Sequence, residues 1–381
     1  KQLMNPFDPD MASMIHNEMR KHGIKLVLGY TVEGFKEKDD GVEVLLKDNP
    51  SLQADMVVLA IGVTPDTVLA KEAGLELGIR ESIVVNDRME TSVPDIYAAG
   101  DAVQVKHYVT GNDALISLAG PANKQGRIIA DNICGGDSRY LGSQGSSVIK
   151  VFDMTAATTG INETNAKKSG LEVDTVILSP MSHAGYYPGG KVMTMKVVFE
   201  KETYRLLGAQ IIGYEGVDKR IDVLATAIHA GLKATQLKDL DLAYAPPYSS
   251  AKDPVNMAGF MIDNIAKGTL KQWHLEDMDK ISRDKSVVLL DVRTVGEFNR
   301  GHMDGFKNIP VDELRERINE IEKGKPVYLI CQSGLRSYIA SRILEGNGYE
   351  TYNFSGGFRF YDAVVNDRAL IEKAYACGMD Y

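Results

Sequence analysis

The stretch that most constrains this chain is an apolar run, Val327-Tyr328-Leu329-Ile330, followed at once by Cys331-Gln332-Ser333-Gly334-Leu335-Arg336 and a helix-compatible segment over residues 337–345. A buried strand that runs into a short polar loop opening a helix belongs in a parallel sheet covered by helices. The loop sets the Cys331 sulfur in a cup of backbone N–H groups, facing a helix N-terminus, with Arg336 nearby. Oriented amide dipoles, the helix dipole and a cation all favour a thiolate over a thiol. A buried structural cysteine is the alternative reading. The polar and glycine residues after Cys331 favour a reactive sulfur anion instead.

At 381 residues the chain has room for two or three domains. Its 44% hydrophobic and 25% charged content is that of a globular protein. A net charge of -9 argues against nucleic acid as a partner. The three cysteines, Cys134, Cys331 and Cys377, form no C-x-x-C pair and lack the Cys/His spacing of a metal site. Such usage fits a reducing cytoplasm with no bound metal. No run is long and apolar enough to span a membrane, and the first residues lack the form of a signal peptide. Cys134 reads as a small buried hydrophobe, and Cys377 offers only a weak case for thiol exchange with Cys331.

Taken in order, residues 11–21 read as an amphipathic helix, 25–28 as a short strand, and 42–46 as a strand after the Asp39-Asp40-Gly41 turn. Residues 55–62 form a continuous apolar run ending in Gly62, the pattern of a buried parallel strand. This is the second half of a nucleotide-binding α/β domain. Neither G-x-G-x-x-G nor a P-loop pattern is present, so the sequence is expected to lack its N-terminal part. Residues 96–99 read as a short buried strand, after which Gly100 admits a ligand close to the backbone and Asp101 accepts hydrogen bonds from ligand hydroxyls. Leu118-Ala119-Gly120-Pro121-Ala122-Asn123 leads into a helix over 124–133, whose start suits negative charge.

Glycine and serine residues between 135 and 147 mark a boundary, and strands begin at Val148. Residues 192–199 and 206–212 predict an antiparallel hairpin, 217–230 a helix with Gly231 past its end, 264–273 a helical connector and 287–293 a buried strand.

Two segments, Ala60-Ile61-Gly62-Val63-Thr64-Pro65-Asp66 and residues 91–101, resemble the paired signatures of the pyridine nucleotide-disulfide oxidoreductase flavoproteins. The resemblance implies FAD and NAD(P)H as cofactors, with Asp101 on the FAD ribityl chain. It also implies that Thr91, Gly100, Leu118 and Ala119 contact the cofactor and that Asn123 lies by the flavin and substrate thiol. The following α+β block resembles the family's dimerisation domain and implies a homodimer. Usual members carry a histidine-glutamate pair where this chain has Ala243-Tyr244-Ala245-Pro246-Pro247-Tyr248-Ser249-Ser250-Ala251-Lys252-Asp253-Pro254. The absence of histidine there points to the coenzyme A-disulfide reductase and NADH oxidase branch. In that branch two tyrosines reach the flavin and the coenzyme A sulfur, which implies roles for Tyr248 and for Tyr187 or its neighbour Tyr186. A phenol can donate a hydrogen bond to a developing thiolate.

Asp291, Arg293, Glu297, Gly301 and His302, followed by Cys331 to Arg336, resemble a rhodanese-type sulfurtransferase domain. The first five are expected to brace the domain, Cys331 to carry a persulfide, Gln332, Ser333, Gly334 and Leu335 to surround it, and Arg336 to close the loop.

The whole is an α/β and α+β multidomain chain: remnants of FAD- and NAD-binding Rossmann-like domains, an α+β dimerisation domain and an α/β rhodanese domain. The expected divisions are 1–66, 67–146, 147–264, a linker at 265–275, and 276–381. The resemblance implies a reductase of coenzyme A disulfide, coenzyme A persulfide or polysulfide, acting on small-molecule thiol substrates. The alternative is a sulfurtransferase alone on a dimerisation scaffold.

Overall fold

The computed structural model describes residues 2–376, so Cys377 lies outside the described residues. The chain opens with helix α1 (Pro9–Lys21), where Pro9 suits a first turn and Arg20 and Lys21 face the C-terminal dipole. Residues 29–147 with 159–161 then form one compact unit; residues 2–28, 148–158 and 162–376 belong to another.

In the first unit β1 (Val32–Lys38), β2 (Gly41–Leu46) and β3 (Leu52–Ala54) make an antiparallel sheet, turning at Asp39-Asp40 as the sequence predicts. The short helix α2 (Val68–Glu72) follows. Next come β4 (Ile83–Val84), β5 (Val103–Lys106) and β6 (Asp113–Ala114), which form a second sheet, and α3 (Ala119–Ile133). Met89, Val103 and Val105 are its buried core, with Ile128 and Ile129 of α3 against them.

Four expectations for residues 25–134 are overturned. Residues 55–62 form no strand: Met56, Val58 and Ile61 are 76%, 76% and 91% exposed. A wholly apolar strand is stable only between hydrogen-bonding neighbours and covering layers, and among the described residues nothing supplies either. Residues 25–28 bury Leu26 and Leu28 yet join no ladder. Residues 96–99 are not a buried strand. The chain folds back at Val93-Pro94-Asp95, so that Tyr97 bridges Glu90 and the Thr91 N–H reaches the Ile96 carbonyl at 2.9 Å. Cys134 is exposed, because it caps the end of α3 just before Gly135 takes a left-handed φ of 88°.

The second unit holds two sheets. β7 (Ser147–Val151) and β8 (Met154–Gly160) are followed by α4 (Glu163–Lys168), β9 (Val173–Leu178), β10 (Met193–Glu200), β11 (Leu206–Gly213), α5 (Val217–His229) and α6 (Pro254–Ala266). The first sheet has the order β7-β8-β11-β10-β9. The β10–β11 hairpin is antiparallel as predicted, with Met195 opposite Ile211. The expected helical connector at 264–273 is corrected: α6 stops at Ala266, and Trp273 lies in β12 (Gln272–Trp273), where its indole buries against Phe354.

Then come α7 (Met278–Ile281), β13 (Val288–Asp291), α8 (Val295–Arg300), β14 (Lys307–Asn308), β15 (Val327–Ile330), α9 (Leu335–Glu345), β16 (Thr351–Phe354) and α10 (Gly357–Ala376). The second sheet, β12-β16-β15-β13-β14, is parallel throughout. Side chains alternate between its faces. Leu329 and Cys331 enter the cluster of Leu290, Val292, Ala340 and Leu344, whereas Tyr328 and Ile330 turn to the opposite cluster of Trp273, Phe306, Phe354 and Phe360. That opposite cluster continues into Met11 and Ile15 of α1 and Met154 and Ile212 of the first sheet. Both sheets therefore share one core.

Candidate functional site

Cys331 ends β15, so its sulfur points to the side that α9 covers. The side chain is fully buried, yet the sulfur sits among donors: the Gly334 N–H is 3.1 Å away and the Ser337 hydroxyl 3.2 Å. A cysteine that merely filled a core would have no need of either. Gly334 takes a φ of 97° to aim its N–H inward, a conformation that favours glycine.

A second glycine holds the loop from outside. Gly357, at φ 71°, lies so close that an added Cβ would meet the Ser333 nitrogen at 2.6 Å and the Gln332 oxygen at 2.7 Å. The amides of Phe358 and Arg359 then donate to the Cys331 and Gln332 carbonyls, at 2.8 and 3.2 Å. Sequence reasoning missed this support, although Gly356-Gly357 directly after a strand is a recognisable signal.

Of the five residues expected to brace the domain, Asp291, Arg293, Glu297 and Gly301 are joined by hydrogen bonds beside the loop, whereas His302 is exposed. Buried Arg293 donates to Asp291 at 2.6 and 2.9 Å and to the Gly301 carbonyl at 2.8 Å, and stacks over Phe358. Its reach to Gln332 is long, at 3.5 Å. His302 stacks on Phe298 at the surface. Leu335, 65% exposed, marks the outer rim. Arg336 forks onto Glu297 with two 2.7 Å bonds.

Those bonds hold the Glu297 carboxyl down at about 2, from an ordinary 4.5. A carboxyl that ionises more easily when folded stabilises the fold above its unfolded range, and loses that contribution as pH falls toward the folded value. Glu297→Gln is therefore expected to lower stability by on the order of 1 kcal/mol at neutral pH. The difference from the parent should shrink between about pH 4.5 and about pH 2 in acid-titrated unfolding curves.

The same unit carries the tyrosine stretch. Buried Arg220 of α5 ties it down, donating to Asp253 at 2.9 Å, to Ser249 at 3.1 Å and to the Ser182 carbonyl at 2.9 Å. An open cavity of about 530 Å³ lies there, lined by His183, Lys219, Arg220, Tyr244, Pro247 and Tyr248. The phenols brought together are those of Tyr186 and Tyr244, 2.6 Å apart. Tyr187 instead stands edge-on to His183, and Tyr248 is exposed on the cavity wall. Tyr244 went unnoticed in the sequence because its partner lies 58 positions away.

In the other unit, Gly100 has a φ of 87° and its N–H donates to Gln125 at 2.7 Å. Asp101 follows it, exposed, and Leu118 caps α3 without a side-chain hydrogen bond. A Cβ added at Gly120 would meet nothing within 4 Å, so the start of that helix is open. A free carboxylate and uncapped amides suit a ligand that carries hydroxyls and negative charge. Thr91 spends its hydroxyl on the Val93 carbonyl and Asn123 its amide on the Ala119 carbonyl.

The chain matches the pyridine nucleotide-disulphide oxidoreductase family over residues 1–126, that family's dimerisation domain over 146–254, and the rhodanese-like domain over 274–363. A NAD(P)H sulfur oxidoreductase (CoA-dependent) of Pyrococcus abyssi is 36% identical over 253 residues, covering 66% of this chain and 56% of the relative. A coenzyme A disulfide reductase of Staphylococcus aureus is 33% identical over 254 residues, covering 66% and 57%. The chain thus spans little more than half the length of these relatives. Among solved structures, reduced Bacillus anthracis CoADR-RHD superposes with a TM-score of 0.92 at 46% identity, over 96% of this chain and 66% of that one. A NAD-dependent persulfide reductase from A. fulgidus gives 0.86 at 40%, over 93% and 64%.

Proposed function

Since the chain belongs to the pyridine nucleotide-disulphide oxidoreductase family and carries a rhodanese-like domain, we propose that it is part of an NAD(P)H- and FAD-dependent reductase of coenzyme A disulfide, coenzyme A persulfide or polysulfide. The observation that carries the reading is the hydrogen-bonded Cys331 sulfur on the same chain as the flavoprotein segments. FAD, when bound, supplies two-electron transfer between the nicotinamide and sulfur. Asp101 would hold its hydroxyls, with Thr91, Gly100, Leu118, Ala119 and the open start of α3 around it. Asn123 would stand at the substrate end.

Cys331 accepts sulfane sulfur. Its sulfur forms a bond to the sulfane atom of a donor while the donor's own S–S bond breaks, and the leaving group departs with that electron pair. The Gly334 amide stabilises the sulfur when it is anionic, Arg336 and Glu297 keep the loop in place, and Gln332, Ser333 and Leu335 line its mouth. Tyr244 and Tyr186 share a proton that can be donated to a thiolate in the cavity beside them, with Tyr248 on its wall and Tyr187 at its margin. The match to the family's dimerisation domain supports a homodimer. No helix among the described residues is long and apolar enough to cross a membrane; separately, the use of only three cysteines with no C-x-x-C pair supports a cytoplasmic setting.

The test is sulfur transfer from thiosulfate to cyanide, read as thiocyanate. The parent should turn over, and Cys331→Ser should fall to background, because a neutral hydroxyl does not replace a thiolate in this exchange. Retained transfer in that variant would remove Cys331 from the chemistry. A preparation joined to the segments its relatives possess should be yellow and oxidise NAD(P)H with coenzyme A persulfide. A colourless one with intact transfer would leave the sulfurtransferase reading.

A further inference from the structure

Gly334 engages both of its backbone groups at the sulfur site. Its N–H donates to Cys331, while its carbonyl, with two lone pairs, is approached by three donors: the Tyr338 N–H of α9 at 3.1 Å, the Ser337 hydroxyl at 3.1 Å and the Asn353 amide at 3.3 Å. The Ser337 oxygen is also 3.2 Å from the Cys331 sulfur. A hydroxyl carries one proton, so Ser337 can serve the sulfur or the carbonyl but not both at once. Ser337 is fully buried and Asn353 is 3% exposed, which confines the choice to these neighbours.

Asn353 decides it. Its backbone is fixed within the sheet, with its N–H on the Lys271 carbonyl at 2.9 Å and its register set against Gln272 and Leu329. Its side-chain oxygen is buried with no partner. Turning the amide over would only set that oxygen against the Gly334 carbonyl, two acceptors face to face. An orphaned buried acceptor is costly, so keeping the amide donor on Gly334 has a function.

We infer that Ser337 and Asn353 act as a proton-directing pair: with the Tyr338 N–H on one lone pair of the Gly334 carbonyl, Asn353 takes the other, and the Ser337 hydroxyl proton is thereby committed to the Cys331 sulfur. Ser337 touches the reacting atom and is a catalytic residue; Asn353 acts through it and is a positioning residue. The inference rests on the reading of Cys331 as the sulfur carrier.

The consequence differs between the two halves of sulfur transfer. With thiosulfate, the Cys331 sulfur bonds the sulfane atom, the S–S bond to the sulfonate sulfur breaks, and sulfite leaves with the electron pair. With cyanide, carbon bonds the sulfane atom, the persulfide S–S bond breaks, and Cys331 leaves as thiolate. No other oxidant or reductant is needed. A hydrogen bond to sulfur enlarges the thiolate fraction but blunts its nucleophilicity, and it makes Cys331 a better leaving group.

The experiment measures sulfite release and thiocyanate release separately, in single turnovers of the whole chain across pH. If losing the hydroxyl lowers the thiolate fraction about ten-fold, a Brønsted slope near 0.5 makes Ser337→Ala release sulfite about three-fold more slowly at pH 7 and about three-fold faster on the alkaline plateau. Thiocyanate release should be about three-fold slower at every pH. Ser337→Thr should restore the parent curves. Asn353→Ala should reproduce the crossing in milder form and add nothing to Ser337→Ala. Parallel, non-crossing sulfite curves, or full additivity of the two substitutions, would overturn the pair. Thiocyanate release surviving in Cys331→Ser would instead overturn the sulfur-carrier reading beneath it.

Discussion

Gly357→Ala is expected to silence sulfur transfer without altering any residue of the Cys331 loop. The new methyl group would stand 2.6 to 2.7 Å from three backbone atoms of Gln332 and Ser333, none of which can swing aside as a side chain could. The left-handed φ of 71° adds strain for any residue with a Cβ. Relief requires the loop or the start of α10 to move, and either movement breaks the amide contacts from Phe358 and Arg359 to the loop carbonyls. A shift of 1 Å at a reacting atom costs about a hundred-fold in rate, so thiocyanate formation should fall by about that factor. Circular dichroism should show the secondary structure retained. Full activity in this variant would mean that the loop is not held from α10.

Lys196→Met is expected to have the largest effect on stability. Lys196, on β10, is buried with its ammonium 2.8 Å from Asp10, 3.2 Å from Asp8 and 2.7 Å from Glu163. Burial works against its charge, but the attraction of Asp10, Asp8 and Glu163 overrides that and holds it protonated. Asp8 also accepts from the Glu163 and Thr164 amides, at 3.0 and 2.9 Å, and so ties α4 to the segment before α1. Deleting the cation leaves three carboxyl groups around a buried gap. Removing one partner of a buried ion pair costs about 3–5 kcal/mol, and denaturant unfolding should show a loss of that size with an unchanged slope. Burial already pushes the Asp10 carboxyl upward. The variant should therefore regain part of the loss as pH falls and Asp10 takes up a proton. Asp10→Asn in the same background should recover part of it at neutral pH.

Local patterns were readable where the physics is local. The strand, loop and helix around Cys331 and the β10–β11 hairpin are set by residues within a few positions of one another, and both stand where the sequence puts them. What escaped depends on distant meetings. Lys196 finds Asp10 across 186 positions, Tyr186 finds Tyr244 across 58, and Gly334 meets Asn353 across 19, distances over which periodicity carries no information. The apolar run at 55–62 failed for a related reason. Its composition states what such a strand needs on both sides but cannot supply it. Cys134 failed because residue type alone does not tell a helix end from a helix core.

The core shared by the two sheets also sets a timetable. His16, Asn17 and Arg20 of α1 are anchored on α10, at Asp367 and at the Ala363 carbonyl. His16 and Asp367 are 351 positions apart, so at a synthesis rate of about 5–20 residues per second α1 waits roughly 18–70 s for its anchor. During that interval Met11 and Ile15 have no finished core to enter. The final packing of α1 therefore follows the synthesis of α10, and its apolar face is the last part of this core to be closed.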